Sequence, residues 1–233
     1  MESFREGLAK AFKGSLFRVG DAEKVHPRAK EYLYRLYRSG RVVRVGWGWY
    51  YVPAGCRDAW DFLAGDRGFK VVIKQTAASI WNYDFIHRDV FRLAVRERSY
   101  GRALEEFARR MGWRFEVEYH ERIPYEYRRV GELYVETPES CIVSCMSEWS
   151  FVDAYATLYF RRGEIDFDRL RRMARWRRIS GTSTRVWTAI KYGCNLLNEK
   201  IGERIFKVRH THLEHNDIKE LVEEAVEKVA EFA

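Results

Sequence analysis

Between residues 28 and 38 apolar side chains recur at helical spacing. Ala29, Leu33, Leu36 and Tyr37 gather on one side at about 100° per residue, with Arg28, Glu31, Arg35 and Arg38 opposite. The spacing predicts a helix over "HPRAKEYLYRLYRSG", with Pro27 near its first turn and Gly40 past its end. One side of it belongs to a core and the other is a basic ridge. Upstream, "ESFREGLAKAFK" has the pattern of a short amphipathic helix closed by Gly14, and "SLFRVGDAEKV" leads through a second short one. Downstream the period changes to two. "RVVRV" and "WYYVP" read as strands, and Gly46-Trp47-Gly48 between them reads as a hairpin turn.

Farther along, "RDAWDFL" predicts a short helix, "KVVI" a strand running into a helical "TAASIWN", and "VFRLAVRE" another strand. "YGRALEEFARRMG" predicts a helix with Leu104, Phe107 and Met111 as its apolar stripe and Gly112 as its stop. "WRFEVEYHE" and "ELYVE" alternate like strands. In "TPESCIVSCMSEW", Thr137 is placed to cap a helix that has Pro138 at its first position. The rest is helical: about 150–160, "DFDRLRRMARWRR", "TSTRVWTAIKYGCNLLN" and "NDIKELVEEAVEKVAEF". The last carries Ile218, Leu221, Ala225, Val229 and Phe232 on one face, with Asp217 and Glu220 as its cap pair.

Helix, short helix, basic helix and hairpin, in that order, make a winged helix-turn-helix. In that motif one helix enters the major groove and the hairpin touches backbone or minor groove. The expected fold class is α+β. A winged helix-turn-helix over 1–54 precedes a mixed, mostly helical domain with a small sheet over 55–233, the boundary falling at Pro53-Ala54-Gly55. Arg28, Arg35 and Arg38 are expected to face the groove with Lys30 at its edge. Arg41, Arg44 and Trp47 are expected to meet phosphate and the minor groove. The bland reading, a solvated face in which Glu31 pairs with Arg35, leaves Lys24, His26, Lys30, Arg41 and Arg44 unexplained.

Charge changes that picture by showing where the basic residues lie. The chain of 233 residues has a formal charge of +8. Residues 1–53 hold eleven Lys and Arg against five Asp and Glu; 161–213 hold fourteen against five. Residues 54–160 are close to neutral, and 214–233 hold two against seven. Two basic blocks favour a polyanion such as nucleic acid through counterion release. For the second block, Arg171, Arg172, Arg175 and Arg178 have three uses open to them. They could pair with Glu220, Glu223, Glu224 and Glu227 of the acidic tail, bind DNA, or dock a protein partner through 161–178. No apolar run long enough to cross a membrane and no signal-peptide core is visible, so a soluble cytoplasmic protein is expected. With one Gln and four Asn, the amide content is that of a hyperthermophile, in which intracellular disulfides can form.

Candidate chemistry is sparse. Cys56, Cys141, Cys145 and Cys194 form no CxxC pair, and buried free thiols are the expectation for Cys141 and Cys145. His210, His212 and His215 could in principle close on a metal, but three histidines before a helix are more often a polar loop, and that is the expectation. Glu116 and Glu118, with Asp84 upstream, faintly suggest a metal-dependent nuclease without its usual lysine. P-loop, GxGxxG, GxSxG and HExxH motifs are absent, and no nucleophile is nominated. The expectation is therefore a binding protein without a cofactor, with a nuclease as the enzymatic alternative.

The run "YLYRLYRSGRVVRVGWGWYYVP" resembles the N-terminal winged helix of the AbiEi-like antitoxin and regulator family. "VVIKQTAASIW" is similar to that family's strand and small-residue helix, and "LYVETPESCIVSCM" to its strand, Thr-Pro-Glu turn and helix. The helices from Phe151 to Leu197 fit its helical half, while Ser144 and Cys145 stand where the family often has an Asp. The resemblance implies a transcriptional autoregulator of a toxin–antitoxin or abortive-infection pair that binds double-stranded DNA of its own promoter. Its functional partner would be a nucleotidyltransferase-like toxin with which it forms no stable complex. A palindromic operator would ask for a homodimer or paired copies.

Overall fold

In the computed structural model, which describes residues 2–12, 14–46, 48–53, 56–65 and 71–232, apolar residues of the N-terminal segment close over one small sheet. Helix α1 (Glu2–Phe12), strand β1 (Phe17–Arg18), α2 (Val19–Glu23), α3 (Ala29–Arg38), β2 (Val43–Gly46) and β3 (Trp49–Tyr51) follow in order. The strands lie antiparallel in the order β1-β3-β2, with Phe17 opposite Tyr50 and Val43 opposite Tyr51. Phe4, Leu8, Phe17, Leu33, Leu36, Val42 and Val52 form the core beneath them. At the tip of the hairpin, Gly46 and Gly48 take φ of 139° and 80°, conformations an L side chain would resist. The chain after α3 turns back through Ser39, whose hydroxyl donates to the Leu36 carbonyl at 3.0 Å.

Strand β1 is an addition to the expected elements. At two residues it is too short to show a period, and its partner lies thirty residues on, so only the folded chain reveals it. Tyr37, expected in the core stripe, is 44% exposed. It sits roughly 70° from the line through Ala29, Leu33 and Leu36, and its hydroxyl favours water.

Beyond the hairpin, α4 (Ala59–Ala64) starts at Asp58, whose carboxylate accepts from the Asp61 amide at 2.8 Å. A five-stranded sheet follows: β4 (Val71–Ile73), β5 (Val90–Val95), β6 (Arg114–Tyr119), β7 (Tyr127–Val130) and β8 (Leu133–Glu136), in the order β6-β5-β4-β8-β7. β5 pairs parallel to β6 and antiparallel to β4, and β4 is parallel to β8. α5 (Ala78–Trp81) comes after β4 through a 3-10 turn at Gln75–Ala77. α6 (Arg98–Met111) links β5 to β6 and buries Tyr100, Leu104 and Phe107. Met111 is exposed instead, because it is the last residue before the left-handed Gly112 and open to solvent at that end.

The C-terminal helices are α7 (Pro138–Ser147), α8 (Phe151–Phe160), α9 (Phe167–Ala174), α10 (Val186–Ile201) and α11 (Asn216–Ala230). Thr137 caps α7 as expected, its hydroxyl accepting from the Ser140 amide at 3.3 Å. In α11 the buried residues are Ile218, Val222, Ala225, Val226 and Val229. Leu221 and Phe232 are exposed, since the stripe follows the wider i, i+4 spacing and Phe232 lies past the helix end. Asp217 and Glu220 do not cap it either: the cap position is His215, which places Asp217 inside the first turn.

The chain is thus α+β with two small sheets. It divides into two compact units. One comprises residues 1–73, 89–124 and 128–135; the other comprises 74–88, 125–127 and 136–233. Ala54 and Gly55, the expected boundary, lie outside the described residues, and the first unit continues past them to Ile73. No helix among the described residues is long and apolar enough to cross a membrane.

Candidate nucleic-acid interface

Helix α3 buries Ala29, Leu33 and Leu36, and that anchoring fixes which side chains its outer side can present. Arg28, Lys30, Arg35 and Arg38 are all exposed, together with Tyr34 and Tyr37. Glu31 is exposed beside them, yet the Glu31–Arg35 pair that would neutralise the ridge is not made among the described residues. Arg28, Lys30, Arg35 and Arg38 keep their side-chain donors unengaged there. Arg41 is exposed just after the helix, held by its amide on the Leu36 carbonyl at 2.9 Å. Arg44 is exposed on β2 opposite Tyr50, and its carbonyl accepts from Arg110 Nη1 at 3.0 Å. Trp47, the remaining predicted contact, lies outside the described residues.

Such a helix can do two things at a duplex. Guanidinium groups can contact phosphate, or reach guanine O6 and N7 in bidentate fashion, and the tyrosine hydroxyls can bond backbone or base edges. Tyr34 was not singled out by the sequence pattern; the signal available was its place between Leu33 and Arg35 on the outward side. Within the same unit, Arg18 stacks over buried Trp49 at 4.5 Å and bonds Glu97 and Ser99, so that cation is structural.

The second basic block is exposed at Arg171, Arg172, Arg175, Arg177 and Arg178, while Leu170 and Ala174 hold α9 in place and Phe167 is half-buried. Three of the four glutamates of α11 are engaged elsewhere. Glu227 meets Lys200 at 2.9 Å, Glu224 meets Lys228 at 2.6 Å, and Glu223 accepts from Tyr192 Oη at 2.5 Å. Glu220 is exposed, and among the described residues no α11 carboxylate forms a salt bridge with those arginines.

Acidic and thiol candidates resolve into local pairs. Glu116 pairs with Arg92 at 3.0 Å across the parallel strands β5 and β6, Glu118 meets His120 at 3.0 Å, and Asp84 meets His87 at 3.2 Å. His210 and His212 pack edge to face with ring centroids 4.9 Å apart, and His215 bonds Ser183 Oγ at 2.5 Å. No group of three or more His, Cys, Asp or Glu among the described residues could hold a metal ion. Cys141 and Cys145 are buried and unoxidised with sulfurs 3.9 Å apart, and burial pushes the Cys141 thiol up, away from the reactive thiolate. A groove of about 570 Å³ in the first unit is lined by Arg102, Glu105, Glu106, Arg109, Trp113 and Glu116. Its charges are largely self-paired: hydrogen bonds from Arg109 and then Arg110 hold Glu106 below the usual carboxylate range.

A buried polar cluster in the second unit has no counterpart in the sequence reading. Glu136 is fully buried at the end of β8; Ser140 and Ser144 donate to its Oε1 at 3.0 and 2.7 Å, and its Oε2 has no partner. Desolvation raises its pKa to about 7, against the lowering effect of the two hydroxyls and of Lys74. Lys74 is buried, 3.7 Å from Glu148 and 4.7 Å over the Tyr125 ring. Asp153 is buried against Arg88. The one visible signal was a lysine ending the apolar run "VVIK". Compared with protein-family models, with curated proteins and with solved structures, the chain matches none.

Proposed function

We propose that this chain is a DNA-binding transcriptional regulator whose first elements act as a winged helix-turn-helix, with α3 as the recognition helix and the β2–β3 hairpin as the wing. The observation that carries the reading is the outer side of α3. Four cations, at Arg28, Lys30, Arg35 and Arg38, stand exposed without an acidic partner among the described residues, on a helix whose inner side is fixed in the core. An unneutralised cationic helix face raises self-repulsion that a polyanion relieves. The order helix, strand, two helices and hairpin, with strands arranged β1-β3-β2, supports the same reading. Within that class, the resemblance of the hairpin segment and of the Thr-Pro-Glu helix supports an antitoxin that represses its own operon. The toxin of such a pair would be nucleotidyltransferase-like, and paired copies would sit on a palindromic site.

A reporter fused to the promoter of its own gene tests the proposal. The full chain should repress the reporter, and Arg35→Ala with Arg38→Ala should release repression while the protein still accumulates. Equal repression by both proteins would remove α3 from the mechanism.

A further inference from the structure

The loop between α9 and α10 is internally hydrogen-bonded and strongly basic. Arg178 and Arg185 face each other in an antiparallel bridge, with the Ile179 amide on the Thr184 carbonyl at 3.0 Å and the Val186 amide on the Arg177 carbonyl at 3.0 Å. Ile179 and Thr184 are buried, so the loop is pinned from below. Like charges directly opposite on paired strands destabilise them. Arg185 also occupies the N-cap position of α10, where no side chain caps the helix and where the dipole disfavours a cation. From Arg171 to Arg185 there are six arginines and no acidic residue. Among the described residues none of the six forms a salt bridge, and the one carboxylate that feels them is Asp166, which Arg172 helps to hold below its usual range. The local fold thus gathers positive charge that a bound anion would relieve.

Trp176 lies at the middle of this surface and is 69% exposed. The guanidinium carbons of Arg175 and Arg185 stand 5.1 and 5.4 Å from its ring centroid, cation–π distances that hold both arginines beside the indole. Trp149, also exposed and with a left-handed backbone (φ 64°), bonds the Ser180 carbonyl of the same loop at 3.0 Å through its indole N–H. An acidic polypeptide would use the charges but not a largely exposed ring flanked in sequence by Arg175 and Arg177. A single-stranded nucleic acid uses both: bases stack on the indole and phosphates take the guanidinium forks.

We infer that the Arg171–Arg185 segment, centred on Trp176, is a second nucleic-acid surface that takes unpaired nucleotides of a single strand, separate from the duplex-binding role proposed for α3. The test is fluorescence anisotropy of labelled twelve-nucleotide dT and U strands titrated with the full chain near 100 mM salt. Trp176→Ala should weaken binding about tenfold and Trp176→Phe should retain most of it, because stacking needs an aromatic face. Arg35→Ala should leave this binding unchanged, which keeps it distinct from failure of the duplex reading. The inference is overturned if the strands do not bind, if Trp176→Ala binds as tightly as the parent, or if polyglutamate of matched charge competes as well as the strands do.

Discussion

Arg35 is the residue at which the recognition proposed for α3 can be separated from mere attraction. It projects from a helix fixed by Leu33 and Leu36, with no side-chain partner among the described residues. If it reads a guanine, Arg35→Ala costs about 1–3 kcal/mol of duplex affinity and relaxes sequence preference at one position. An equal loss on every duplex would make it a phosphate contact. Glu136 supports a second prediction at this scale. Its pKa rises from the ordinary 4.5 to about 7 in the folded protein, so between those values the folded form keeps a proton that the unfolded chain has released. Stability from this group is full below pH 4.5 and falls as pH rises to about 7, by roughly 3 kcal/mol in all. Denaturation of the parent and Glu136→Gln at pH 5 to 8 should show the variant gaining relative stability as pH rises. A relative gain by the parent would mean that the charged carboxylate is held by Lys74. The ridge of α3 was legible because one helix's own period decides it. Glu136 was not, because its burial is made by residues scattered along the chain.

At the scale of elements, packing sets the sharpest limit where α10 crosses α8. A Cβ on Gly193 would fall 2.2 Å from the Tyr155 ring, which is buried and tied by its hydroxyl to the Ala189 carbonyl at 2.7 Å. Gly193→Ala should therefore destabilise the protein by about 1–3 kcal/mol or more, despite the better helix propensity of Ala. Thermal unfolding measures it, and a rise in Tm would contradict the close crossing. Thr137→Ala removes the acceptor for the Ser140 amide and should cost about 0.5–2 kcal/mol. Helices that carry caps and stripes, such as α6 and α7, were readable from sequence. β1 and β7 were not, since two and four residues hold too little alternation to show a period, and the partner of β1 lies far along the chain. The stripe of α11 was misjudged between i+3 and i+4 neighbours, a choice that only the facing helices α8 and α10 make.

For the whole molecule, the distribution of charge matters more than its sum. The net +8 is concentrated in two blocks, and among the described residues Arg35 and Arg38 of α3 do not pair with Glu31, nor Arg171, Arg172, Arg175 and Arg178 with the α11 carboxylates. Contacts of that kind release counterions, so binding should weaken steeply as salt rises, by a power close to the number of phosphates neutralised. The central claim is sequence-specific duplex binding through α3. Its most direct test is equilibrium binding of the purified full chain to the duplex upstream of its own gene and to a scrambled duplex, from about 50 to 200 mM salt. The account predicts tighter binding to its own duplex at every salt concentration, with a steep salt slope on both. Equal and weak binding to the two duplexes would contradict it.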